Sequence, residues 1–358
     1  MNYEFGNVKN IHYGDIHTKY PTIVSLQNNK DVPFINEDID LSKFNEDQYL
    51  QDGDLIIVDA SEDYDDIGKA IEVMNVNDEK FLAGLHTILA RDEKNITVNG
   101  FKADLFSTNT LKTKIKVIAN GISVLGISKK NISKLEVKIP SKREQQEIVS
   151  FINTIDRKIE LLEEKHQYYQ DFKKYLMQQI FTQNLRFDFD NVKLKNISKI
   201  NKGKQLNKDD MVETGIFHVL NGGKEPSGYT NAWNTPENTI TISEGGNSCG
   251  YVNFNTEKFW SGGHCYYLDN LAEKVDGYYL YSYLKFIEPK IMRLRVGSGL
   301  PNIQKGDIEN IKVKIALPTE QQRISNLLYS TDEKIINIAN QKDNFELFKK
   351  GLLQQMFV

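Results

Sequence analysis

Cysteine is scarce in this chain of 358 residues, with only Cys249 and Cys265 present. Two thiols cannot build the disulfide framework of a small secreted scaffold, and a reducing compartment leaves them unpaired. A zinc site made from Cys249, His264 and Cys265 matches no familiar ligand spacing, so two packed thiols are the better reading. No apolar run approaches the length needed to cross a bilayer, and the opening MNYEFGNVKN lacks the basic-then-apolar layout of a signal peptide. A cytoplasmic protein with no membrane partner is expected. Proline is thin as well, eight residues with no two adjacent. That removes the Asn/Asp-Pro-Pro-Tyr/Phe motif with which an adenine methyltransferase positions its target amine. Gly223-Lys224 has no upstream glycine to form a phosphate loop, and GSGLPN (297–302) fails as G-x-G-x-x-G. The acidic group Asp63, Asp65 and Asp66 reads as a solvated loop rather than a metal site. His86, His218 and His264 lie among apolar or aromatic neighbours in sequence, where structural histidines outnumber general bases. No catalytic residue, metal site or cofactor is assigned to the chain.

What is present begins with size. A chain this long exceeds one hydrophobic core, and 39% hydrophobic with 26% charged residues places it among ordinary globular proteins. The net charge of -4 argues against a generic polyanion binder, yet the charge is segregated. Residues 1–66 carry 4 Lys/Arg against 15 Asp/Glu, residues 101–138 carry 8 against 2, and Lys193, Lys195, Lys199, Lys202, Lys204 and Lys208 follow one another with no acid between them. A surface that meets phosphates on one side requires such separation.

The organising feature is an internal repeat. LEVKIPSKREQQEIVSFINTIDRKIELLEEK and IKVKIALPTEQQRISNLLYSTDEKIINIANQK each read as an apolar strand, a proline, Glu-Gln-Gln and a long helix. Glu144, Gln145, Gln146, Ile148, Asp156, Lys158 and Ile159 fall 176 residues before Glu320, Gln321, Gln322, Ile324, Asp332, Lys334 and Ile335, and KKYLMQQIF (173–181) falls before KKGLLQQMF (349–357). Ile148, Ile152, Ile155, Ile159, Leu162, His166, Tyr169, Phe172, Leu176 and Ile180 step by threes and fours, and the second copy from Ile324 to Met356 steps identically. That period is the seam of a coiled coil. The equivalent polar seam residues His166 and Lys342 either set the register of the pair or lie at the seam edge with their polar ends in water, the second being the better reading. Pro140-Ser141 and Pro318-Thr319 are helix starts. Between the helices, runs such as Asp54–Val58, Asn238–Ile242 and Lys312–Ile315 read as strands. The fold class is therefore α+β: two mixed α/β domains joined by two long helices that form an antiparallel coiled coil. The boundaries are domain 1 at 1–139, helix 1 at 140–185, domain 2 at 186–316 and helix 2 at 317–358.

This arrangement, with proline plus Glu-Gln-Gln at each helix start, resembles the specificity subunit of type I restriction-modification systems over essentially the whole chain. GDLIIVDASEDYDDIGK (53–69), GLHTILA (84–90), TISEGGNSCGYV (241–252), FWSGGHCYYL (259–268) and GSGLPNIQKGDIENIKVKI (297–315) are similar to that family's recognition domains. The second domain begins with VKLKNISKINKGKQL (192–206), a strand and basic turn. The first starts almost at NIHYGDIHTKY (10–20), so by this resemblance it lacks the corresponding N-terminal strand. The resemblance implies a non-catalytic subunit whose two domains each read half of a bipartite site in double-stranded DNA. It also implies two methyltransferase subunits and restriction/translocase subunits as partners, with S-adenosylmethionine, ATP and Mg in those partners.

Base edges are matched by Arg and Lys for guanine and by Asn and Gln for adenine, while Ser, Thr and amides serve phosphates. The DNA-contact candidates in the first domain are His12, Tyr13, His17, Lys19, His86, Asn120 and Ser123. In the second they are Lys202, Lys204, Asn221, Asn247, Ser248, Arg293, Arg295, Ser298 and Asn302. The helices carry 7 basic against 7 acidic residues over 140–185 and 5 against 5 over 317–358, which suits protein contacts. The stretch from Glu144 to Phe181 would span about 57 Å as a helix, a spacer between half-sites. The competing reading is a coiled-coil scaffold that carries two globular modules and touches no DNA; duplex binding separates the two.

Overall fold

The computed structural model describes residues 1–27, 31–77, 79–182, 185, 188–297, 299 and 301–357. Its first half contains β1 (Val8–Ile11), α1 (Tyr13–Thr18), β2 (Ile23–Ser25), β3 (Leu55–Val58), β4 (Ala60–Ser61), β5 (Ala70–Met74), β6 (Lys80–Ala83) and β7 (Thr87–Ala90). Then come α2 (Phe101–Ser107), α3 (Asn109–Ile118), β8 (Leu125–Gly126), α4 (Lys129–Ile132) and the long α5 (Lys142–Phe181). The second half contains β9 (Phe189–Lys193), β10 (Lys199–Lys202), β11 (Phe217–Leu220), β12 (Gly228–Thr230), β13 (Thr239–Ser243), β14 (Val252–Asn255), β15 (Trp260–Ser261) and β16 (Cys265–Asp269). It closes with α6 (Gly277–Phe286), α7 (Glu288–Met292), α8 (Lys305–Glu309), β17 (Lys312–Ala316) and the long α9 (Pro318–Met356). Two compact units result, one of Met1–Leu162 with Gln341–Val358, the other of Glu163–Asn340. Each therefore holds a globular region and a part of both long helices.

In the first unit the sheet order is β2-β5-β3-β7, with β2 parallel to β5 and the other pairs antiparallel. The run Leu-Ile-Ile-Val of β3 is buried throughout, as a strand covered on both faces must be. One buried ionic contact docks α2 on this sheet. The wholly buried Glu72 of β5 accepts hydrogen bonds from Gly100 N at 2.8 Å and Ala103 N at 3.0 Å and pairs with Lys102 Nζ at 2.9 Å. In the second unit an antiparallel sheet ordered β10-β16-β13-β14 lies in the same core as α6 and the β17-β9 pair. The smaller sheet β12-β11-β15 stands beside it.

The long helices repeat their contacts copy by copy. In the first unit Asp156 pairs with Lys349 at 2.6 Å and Lys158 lies over Phe345; in the second Lys173 pairs with Asp332 at 2.6 Å and Lys334 lies over Tyr169. Within each unit the two helices thus run antiparallel, as the seam implied. Ile148, Ile152, Ile155, Leu162, Ile180, Ile324, Leu328, Thr331 and Ile338 are buried. Several seam positions depart from expectation. Phe348 is 50% exposed, and Met177 and Leu353 are buried in place of Leu176 and Leu352. A helix of 3.6 residues per turn drifts away from a 3.5 repeat, so the buried stripe moves one position along. His166 is half-buried, and Lys342 lies 3.9 Å from Glu346, in keeping with a seam-edge place.

The Glu-Gln-Gln motif has a structural task. Ser141 caps α5 in a reciprocal box with Glu144, Ser141 N and Oγ donating to the carboxylate at 2.9 and 2.8 Å. Buried Gln145 donates to the carbonyls of Ile96 (3.0 Å) and Pro140 (2.9 Å) and accepts from Val98 N (2.9 Å). Buried Gln321 repeats this with the carbonyls of Lys274 (3.0 Å) and Ala316 (2.8 Å) and with Asp276 N (2.9 Å). Each glutamine ties its helix start to a loop of its own globular region. One strand expectation fails: LEVKIP (135–140) is not a strand, whereas its counterpart in the second copy is β17. The reason is a partner, since β17 pairs along its length with β9.

Candidate nucleic-acid interface

In the second unit the loop after β13 is the centre. Glu244 follows Ser243 at the strand end, and its carboxylate gathers Lys202 Nζ at 2.6 Å, Tyr266 Oη at 3.0 Å and His264 Nδ1 at 3.3 Å. Burial pushes this carboxyl up, but the hydrogen bonds from Lys202 and Tyr266, the Lys202 charge and the His264 contact outweigh it. The net effect holds Glu244 below the usual carboxylate range, as an anion. Asn221, one residue past β11, accepts from His264 N at 3.4 Å and presses against Gly262, where a Cβ would lie 2.5 Å from its Oδ1. A side chain at Gly262 would displace that amide. Asn247 and Ser248 sit on the turn Gly246–Ser248, and Gly246 N donates to Pro301 O. Asn302 bridges both Gly245 and Val296, and Arg295 lies close enough to Cys249 to act on its thiol. Arg293 caps the end of α7, whose Met292 lies against Gly250. Lys202, Asn221, Asn247, Ser248, Arg293, Arg295 and Asn302 are thus brought around one loop. Lys204 stands beside them, its carbonyl held by Trp260 Nε1 at 2.8 Å. Ser298 lies outside the described residues.

Two residues of this group were not anticipated as part of it. Glu244 stands inside a motif quoted above but is not among the candidates there; its anchoring of Lys202 depends on a contact across 42 residues. His264 was read as structural, but its ring is 64% exposed and bonded to Glu244, because the Ser261–Cys265 turn projects it from the sheet. His218 is stacked on Phe259 at 5.4 Å, in keeping with a structural place. Both cysteines are buried, with Cys249 donating to Glu244 O and Cys265 to Tyr266 O, and burial pushes the Cys265 thiol up to about 11.

In the first unit the candidates split. His12 caps α1 by accepting from Gly14 N at 3.1 Å, and Tyr13 stands between His12, His17 and His86, with ring centroids 4.5, 6.0 and 5.3 Å away. Asp59 lies 3.3 Å from His86, and Asp66 lies 3.6 Å from His17. Lys19, at the end of α1, is paired with Asp15 at 2.7 Å and bonded to Tyr3, and these contacts raise its pKa. Asn120 and Ser123 are on an exposed tip where Asn120 pairs with Gly126. Gly126 in turn pairs with Ala60, beside Asp59, so this tip adjoins the histidine group. Asp65 is not a loose acid, being paired with Lys116.

Two mixed α/β units, each with a group of polar side chains on its loops and each tied by a buried glutamine to the start of a long helix, define a duplicated architecture. The type I restriction modification DNA specificity domain matches residues 2–168 and again 187–346, and the chain belongs to that family. It is 32% identical over 143 residues to a putative type I specificity subunit of Mycoplasma genitalium, a match covering 39% of this chain and 37% of that one. That match spans little more than a third of the relative's length. A putative type I restriction enzyme MjaX specificity subunit of Methanocaldococcus jannaschii is 24% identical over 320 residues, covering 80% of this chain and 73% of the relative. The crystal structure of a type I restriction-modification S subunit from M. genitalium shares the fold, with TM-score 0.64, 18% identity and coverage of 87% of this chain and 85% of that one.

Proposed function

We propose that this chain is the DNA-specificity subunit of a type I restriction-modification complex, each globular region reading one half of a bipartite duplex target. The observation that carries the proposal is the double match to the specificity domain, one copy per globular region. Lys202, Lys204, Arg293, Arg295, Asn221, Asn247 and Asn302 supply the donors that base edges and phosphates take up. In this reading the subunit does no chemistry. Two methyltransferase subunits seat on the charge-balanced helices, restriction subunits join them, and S-adenosylmethionine, ATP and Mg belong to those partners. The helices act as the spacer between half-sites.

The test is selection of bound duplexes from a randomised library by the assembled complex, which should enrich a two-part motif with a fixed gap. Lys204→Ala should weaken binding across sequences and reduce the salt slope by about one. Recovery of sequences with no two-part motif would overturn the reading.

A further inference from the structure

The two globular regions share a device that the repeat in the long helices does not mark. In the first, Gly84-Leu85-His86 joins β6 to β7; in the second, Gly262-Gly263-His264 joins β15 to β16. Each glycine N–H donates to the last carbonyl of the parallel neighbouring strand, Gly84 to Ile11 O at 2.9 Å and Gly262 to Leu220 O at 2.8 Å. Gly84, like Gly262, has no room for a side chain, since a Cβ there would lie 2.8 Å from Ile11 O. Each histidine stands opposite an acid one residue past an inner strand of its sheet. Asp59 N donates to His86 O at 3.1 Å just after β3, and Glu244 N donates to His264 O at 2.9 Å just after β13. In both, the ring Nδ1 lies 3.3 Å from that acid's carboxylate, and the side chain is open to water, 48% exposed at His86 and 64% at His264. Glycine, histidine and acid therefore hold the same register in two domains whose other loops differ.

We infer that His86 and His264 are phosphate-binding residues of the two domains, with Asp59 and Glu244 as positioning residues that hold Nδ1 and leave Nε2 for the DNA backbone. The inference rests on the DNA reading proposed above. Where two domains read different bases, a device kept alike in both serves what both half-sites share, which is the phosphodiester chain. Between a carboxylate and a phosphate the imidazolium donates from both nitrogens, so binding takes up a proton at each domain. That contribution is complete below the pH at which the free ring titrates and fades as pH rises through the value in the complex, within the range of about 5 to 8 where imidazole changes charge. The surroundings differ in one respect. Around His86 stand Asp59 and the edge-on ring of Tyr13, with His12 and His17 against Tyr13, Asp66 beside His17 and Lys69 on the His17 carbonyl. The Asp59 Oδ1 that faces His86 is buried, and among the described residues no hydrogen bond reaches it. Glu244 is already shared with Lys202 and Tyr266, so the pull on a His264 proton is weaker and the pH dependence at His86 should be the larger.

The test is binding of the assembled complex to a labelled duplex carrying its selected motif, followed by fluorescence anisotropy at about pH 6 and pH 8 over a range of salt. His86→Gln and His264→Gln should each weaken binding about tenfold at the lower pH, reduce the salt slope by about one and flatten the pH dependence, with the selected bases unchanged. His86→Lys, charged at both pH values, should keep the salt slope and lose the pH dependence. Asp59→Asn should cause a smaller loss that vanishes in the His86→Gln background. A histidine that only props its turn would leave both slopes as in the parent. Altered bases in either half-site, an unchanged salt slope, or a pH dependence equal to that of the parent would overturn the assignment while leaving the DNA reading in place. Failure of the parent complex to select a two-part motif would remove both.

Discussion

Replacing Gln321 by Ala should loosen the second unit far more than its place on the first turn of a long helix would indicate. The side chain is wholly buried, donates to Lys274 O and Ala316 O and accepts from Asp276 N. Truncation leaves two carbonyls and one N–H without this partner, and each buried unmet group costs about 1–3 kcal/mol, carbonyls toward the low end. Asp276 also caps α6 through Tyr279 N at 2.7 Å and bonds Ser325, so movement of its loop disturbs that cap as well. The total is about 3–5 kcal/mol. Gln321→Glu is the control for shape: it keeps the acceptor for Asp276 N but sets a carboxylate against two carbonyls, so it should destabilise by a similar amount. The measurement is urea unfolding of the full chain, with hydrogen exchange by mass spectrometry to locate the change. Exchange should quicken at 274–276 and 316–321, while Gln145→Ala should quicken it at 96–98. A loss below about 1 kcal/mol, or a glutamate variant as stable as the parent, would refute the clamp.

Two further outcomes follow from buried charge and helix length. Burial raises the Asp104 carboxyl to about 7, with Lys349 opposing this and Asp156 and Glu72 adding to it. A folded value above the unfolded one favours folding below about pH 4 and loses that contribution as pH rises through 7. Asp104→Asn should therefore gain stability relative to the parent between pH 4 and 7, reaching at most about 4 kcal/mol, as paired urea titrations would show; a flat difference would contradict it. Inserting four residues in both α5 and α9 adds about 6 Å to each. At about 3.4 Å per base-pair step the gap in the methylated motif should widen by one or two pairs with its half-sites unchanged. Methylome sequencing reads this directly, and an unchanged gap with full activity would oppose the spacer role.

The parts of the fold that were legible are those in which the repeat and local chemistry agree. The seam period, the Ser141–Glu144 cap and the run Leu55–Val58 each announce their element within a few residues. The parts that were not legible depend on distant partners. Val137-Lys138-Ile139 and Val313-Lys314-Ile315 are the same tripeptide, and only the presence of β9 makes one of them a strand. The two glutamines look like surface residues in the helix pattern, and their burial is set by loops some 45–49 residues away. At the interface, residue chemistry picked side chains that do gather around one loop in the second unit. It missed Glu244 and His264, since an acid that orients a lysine and a turn that exposes a ring are visible only once β10, β13 and β16 are side by side.

The central claim is that two separate regions of this chain read two separate half-sites. Exchanging residues 186–316 for the second recognition region of another family member, in cells that supply the methyltransferase and restriction partners, tests it most directly through sequencing of methylated adenines. One half of the motif should change to that of the donor, while the other half and the gap stay as they were. A change in both halves, or in neither with methylation retained, would contradict the account.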